Sequence, residues 1–88
     1  MRIPKKIREE WSELTYWNNH TEVLIRIADF FKMAEYKKCF EGILQSQNFY
    51  GSLMYEDSLL RYSACKNMMK EIREKHGDKI AKQVSDCL

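Results

Sequence analysis

Between Thr21 and Gly51 the chain has no proline and only two glycines, Gly42 and Gly51, and its apolar pattern changes face halfway. At the roughly 100° per residue of an α-helix, Val23, Leu24, Ile27, Phe30, Phe31 and Ala34 share one side. Tyr36, Cys39, Phe40, Ile43 and Leu44 fall on the opposite side, and Lys38, Glu41 and Gln45 take the side the first set used. A single straight helix with one buried stripe cannot satisfy both halves. Either the helix breaks near Lys32 to Glu35 and folds back as a hairpin, or it stays continuous and buries its second half against another partner. The absence of Ser, Thr, Asp, Asn or Gly between Lys32 and Lys38 leaves no side chain to cap a new helix, which favours continuity.

Against continuity stands the stretch from Phe30 to Glu41. The aromatic pair Phe30 and Phe31, the small residue Ala34, the acid Glu35, then Tyr36 and, three places on, Cys39, resemble the middle of a tetratricopeptide-type helical hairpin. The resemblance covers one repeat and has no second copy further on, so it implies a turn near Met33 to Glu35 and not a solenoid.

The rest of the chain supplies faces for such a hairpin to close on. Ile3, Ile7, Trp11, Leu14 and Trp17 form an apolar stripe behind Pro4, a residue suited to a first helical turn. Asn18-Asn19-His20 ends that helix, and Thr21 is positioned to cap the next, with Glu22 and Arg26 as an i,i+4 pair. Asn48-Phe49-Tyr50-Gly51-Ser52 reads as an exit, with Gly51 free to take positive φ and Ser52 free to cap the helix after it. Leu53, Leu60, Ala64, Cys65, Met68, Met69 and Ile72 then form one broad face up to His76. Gly77 stops that helix, and Ile80, Ala81 and Val84 face inward from a last short one. The expected fold is all-α: a single-domain compact helical bundle of four main helices, over residues 4–17, 21–33, 35–48 and 53–76, plus a short C-terminal helix over 79–87. One proline and three glycines are too few turn signals for a sandwich or barrel.

Function is far less legible. The formal net charge is +2, with basic and acidic residues nearly balanced along the whole chain, which excludes an acidic nucleic-acid mimic. The basic start, Arg2 to Lys6, leads into a charged helix and not the apolar core of a signal peptide, and no apolar run reaches the roughly 18 residues that span a bilayer. A cytoplasmic protein with no membrane partner is expected. Three cysteines, Cys39, Cys65 and Cys87, lack CxxC spacing; the first two read as small core residues and Cys87 as exposed. His20 and His76 have no ligand partner at helical spacing, so no metal and no cofactor is expected. Phosphate loops, nucleophile elbows and zinc-protease motifs are absent, and Arg73 and His76 stand too close together to match the pair of the helical ribonucleases of the higher-eukaryote-and-prokaryote nucleotide-binding type. Asp57 with Arg61, Glu71 with Lys75, and Asp78 with Lys82 read as solvated i,i+4 pairs, so the chain is not read as an enzyme.

Two surfaces remain. Two Trp, five Tyr, four Phe and five Met in 88 residues exceed what so small a core hides, so Trp17, Phe49, Tyr50, Met54 and Tyr55 are expected at a protein interface, self-association being the simplest cover. Tyr36 and Phe40 join them if the central helix is unbroken. The alternative is a nucleic-acid surface built from Lys66, Lys70, Arg73, Lys75 and Lys79, diluted by interleaved acids. A helix-turn-helix over Ile27 to Leu44 would bury Lys38 and Glu41 and is set aside.

Overall fold

The computed structural model describes all residues, 1–88. Five helices and no strand follow one another: α1 (Lys5–Tyr16), α2 (His20–Phe30), α3 (Ala34–Tyr50), α4 (Tyr55–His76) and α5 (Asp78–Ser85). The central stretch is broken. Lys32 takes a left-handed backbone at φ 57°, and the Met33 amide returns to the Ala28 carbonyl (2.8 Å) while the Lys32 amide returns to that of Asp29 (3.0 Å). This pair of bonds is a Schellman ending, completed by two buried side chains at its hydrophobic positions, Ala28 and Met33. The chain stops α2 with backbone geometry where the sequence offered no capping side chain. No side chain caps the start of α3 either. Instead Lys37 on α3 reaches back over the turn to Asp29 on α2 (3.0 Å), which holds its ammonium pKa above the usual value.

The same device ends α1. Asn18 sits at φ 61°, with the Asn19 amide bonded to the Leu14 carbonyl (2.8 Å) and the Asn18 amide to that of Thr15 (3.0 Å). Asparagine tolerates this conformation better than lysine, so the first break is the easier one to read. Thr21 is not a cap. It lies inside α2, buried, with its hydroxyl accepting from the Arg61 guanidinium (2.8 Å) and paired with the Gln47 amide oxygen (3.1 Å). One hydroxyl thereby joins α2, α3 and α4.

Because the chain turns at Phe31 to Met33, both halves of Thr21 to Gly51 face the same interior. Val23, Leu24 and Ile27 from α2 meet Phe40 and Ile43 from α3, and Met68 and Ile72 from α4 close the far side. Trp11 enters from α1, edge-on to Phe30 at 5.5 Å between ring centres. Burying a side chain the size of Phe40 or Ile27 contributes about 1.5–3 kcal/mol, so this cluster is the main source of stability. Helix α2 is central, in contact with α1, α3 and α4, while α5 packs on α4.

The C-terminal residues are docked. Cys87, expected at the surface, is buried: its thiol points at the carbonyls of Gln83 (3.3 Å) and Arg8 (3.5 Å), and its own carbonyl accepts from the Thr15 hydroxyl at 2.7 Å. Further departures concern charge. Glu22 and Arg26 pair as expected (3.4 Å), but Arg61 turns inward to Thr21, Glu71 accepts from the Tyr36 hydroxyl, and Asp78 pairs with Arg73 (3.3 Å) instead of Lys82. Lys82 pairs with Asp86.

Candidate interaction surface

Large exposed hydrophobic side chains are concentrated at one end of the molecule. Seven of the eleven lie between residues 49 and 62: Phe49, Tyr50, Met54, Tyr55, Leu59, Leu60 and Tyr62. Helix α3 runs through Asn48-Phe49-Tyr50, where the sequence suggested an exit, so Phe49 and Tyr50 ride on its last turn, stacked edge to face at 4.9 Å. Gly51 then turns the chain at φ 76°, and Met54 precedes α4. Tyr50, Met54 and Tyr55 line a shallow cleft with Ser46, Glu56 and Asp57.

Tyr55, Leu59 and Tyr62 occur at i, i+4 and i+7 on α4, and they are 76%, 53% and 68% exposed. Ala64, Met68 and Ile72, the buried residues of α4, project from the opposite side of the helix. Leu59 and Tyr62 do not stand out in the sequence because the broad face read there, from Leu60, Ala64, Cys65, Met68 and Ile72, centres on the far side of the helix. Leu60 is in fact 48% exposed. Counting the i, i+4, i+7 template from Tyr55 is the signal that finds the outer stripe.

Beyond Tyr62 the same stripe becomes basic. The Lys66 ammonium lies 5.7 Å from the centre of the Tyr62 ring, a cation–π contact, and Lys70 and Arg73 continue the line. Tyr55 of the expected interface and Lys66, Lys70 and Arg73 of the expected basic surface therefore share one helix face. Lys75 falls on the other side of α4, and Lys79 belongs to α5, so neither extends this stripe. Arg73 spends its charge partly on Asp78.

Two residues leave the surface. Phe40 is fully buried in the core, because the hairpin turns that side of α3 inward. Tyr36 is half-buried, and its hydroxyl donates to the Glu71 carboxylate; this hydrogen bond, with burial and the charges of Glu71 and Glu35, pushes its pKa up to about 12. Trp17 is exposed and stacks edge-on with Tyr16, but on α1's end, beside Leu14, Glu10, Glu13 and Arg26.

Burial pushes the Cys39 thiol up, and burial outweighs the opposing effect of Arg61 at Cys65, so both side chains are held away from the reactive thiolate. No group of three or more His, Cys, Asp or Glu side chains is placed to hold a metal ion, and no helix is long and apolar enough to cross a membrane. Comparisons with known protein families, with curated proteins and with solved structures find no match.

Proposed function

We propose that this chain is a small, cytoplasmic, non-enzymatic interaction or regulatory module that works through the exposed end of α3 and the outer face of α4, with self-association as a homodimer. The observation that supports it is the cluster of seven exposed apolar side chains over residues 49–62, on the turn and the two helices it joins, whose other faces already fill the core. Scattered exposed apolar residues are ordinary, whereas a contiguous group of aromatic ones is typical of interface centres. A two-fold pair centred near Leu59 would cover Tyr55 and Tyr62 of each copy with those of the other.

Light scattering or sedimentation across a concentration series tests this directly. The unaltered chain should approach twice its monomer mass, and Leu59→Glu should return it to monomer without loss of helical signal. A strict monomer at the highest concentration attainable removes the dimer, and capture of the same host proteins by the unaltered chain and by Leu59→Glu would remove the surface altogether.

A second reading draws on the basic continuation of the stripe. Tyr62, Lys66 and Lys70 together offer a ring for stacking and cations for phosphates, the combination that single-stranded nucleic acid uses. Absence of binding to single- and double-stranded oligonucleotides at low salt, or binding indifferent to neutralising Lys66, Lys70 and Arg73, rejects it.

A further inference from the structure

Away from α4's outer stripe, three cationic side chains and a histidine converge on one cleft. Arg2 from the N-terminal segment, Arg8 from α1, His76 from the end of α4 and Lys79 from α5 line a space of about 580 Å³, and no carboxylate lines it with them. None of the four takes part in an ion pair. Of the acids near them in sequence, Glu9 pairs with Lys5 and Asp78 with Arg73, while Glu10 and Glu74 make no ion pair and do not line the cleft. Positive charge is therefore gathered within the cleft itself, and the carboxylates of Glu9 and Asp86 lie in the adjoining cleft that shares Arg8 and Gln83.

Two further features point the same way. The first backbone hydrogen bond of α5 runs from the Ala81 amide to the Gly77 carbonyl, so the amides of Asp78, Lys79 and Ile80 have no helical acceptor, and no side chain caps them. Arg8 Nε and Gln83 Oε1, on two residues that line this cleft and the adjoining one, are buried with no hydrogen-bond partner in the protein. His76 lies against Phe31, 5.1 Å between ring centres with the rings tilted by 41°, which places one wall of the cleft.

We propose that this cleft binds a small diphosphate-bearing molecule. Its volume lies within the range of about 300–1,000 Å³ usual for small-ligand sites. Three permanent positive charges exceed what one phosphate monoester, at about −1.5 to −2, would neutralise, whereas two linked phosphates match them more closely. Apart from Met1 and Ile80 the lining is polar or charged, which suits an anionic group better than an apolar one.

Calorimetry with inorganic pyrophosphate, ADP and inorganic phosphate at constant ionic strength, with sulfate as the reference anion, tests the assignment. Pyrophosphate and ADP should both bind more tightly than phosphate and sulfate; ADP alone would mark a nucleotide site, pyrophosphate alone a free diphosphate site, and either result supports the proposal. Arg2 and Lys79 are exposed, so Arg2→Ala with Lys79→Ala should fold normally and lose on the order of tenfold in affinity. Lys66→Ala with Lys70→Ala makes the same change in net charge on α4's outer stripe and should leave affinity unchanged. Neither pyrophosphate nor ADP bound better than sulfate, an equal loss in both double variants, or a single-stranded oligonucleotide preferred over both and lost with Arg2 and Lys79, would overturn the proposal.

Discussion

Replacing Lys32 by glycine separates the hairpin from an unbroken helix by the sign of one stability change. Lys32 is an exposed L-residue at φ 57°, and holding such a residue in the left-handed region costs about 1–2 kcal/mol. Glycine removes that penalty but adds freedom to the unfolded chain, offsetting about 0.5–1 kcal/mol of the gain. The Lys32 side chain makes no ion pair, so nothing else is lost. Both amide bonds of the Schellman ending are kept. Lys32→Gly should therefore stabilise the protein by about 0.5–1 kcal/mol, raising the melting temperature by a few degrees for a domain of this size. In a continuous helix the same substitution would destabilise by about 1 kcal/mol. Urea denaturation followed by helical circular dichroism gives the midpoint shift. A lower midpoint for Lys32→Gly, with Lys32→Ala equal to or above the unaltered protein, would refute the broken helix and with it the inward placement of Phe40 and Ile43.

Tyr36→Phe removes the hydrogen bond to Glu71 and should cost about 1 kcal/mol at neutral pH, read from the same denaturation curves. Because the folded phenol titrates near 12 against about 10 when unfolded, its contribution is fully present below pH 10 and is lost as pH rises toward 12. The unaltered protein should therefore lose more stability than Tyr36→Phe across that interval, and parallel curves would contradict the pairing. Thiol labelling checks the docked C-terminal residues: Cys87 should react with a thiol reagent only as fast as the chain opens, and immediate labelling in the native protein would show that it is not buried.

Helix number and fold class can be read from periodicity because they depend on spacing alone. The break within Thr21 to Gly51 is legible only as a conflict between two faces, since its resolution rests on a backbone conformation at Lys32 that residue type does not advertise. Helix ends are displaced for a similar reason: Thr21 and Ser52 carry capping side chains, yet tertiary demand draws the Thr21 hydroxyl to Arg61 and Gln47, and α4 starts after Met54 with no side-chain cap. The exposed aromatic group is visible at Phe49, Tyr50, Met54 and Tyr55 as an excess over core capacity, while Leu59 and Tyr62 emerge only when the helical template is counted from Tyr55 and not from the broad apolar face. The convergence of Arg2, Arg8, His76 and Lys79 is not visible at all, because three helices and the N-terminal segment supply it from opposite ends of the chain.

The two tryptophans, six residues apart on one stripe, end up in opposite environments, Trp11 at 2% and Trp17 at 66% exposure. Optically, the protein therefore carries two separate reporters. Trp11, enclosed beside Phe30, emits from an apolar setting and shifts to the red only when the core opens, whereas Trp17 emits from water throughout and is open to a dissolved quencher. A change in the quenchable fraction without a shift in the enclosed one would mark an event at the end of α1, and the reverse would mark loosening of the core. Intrinsic fluorescence can thus distinguish surface association from unfolding without any added label.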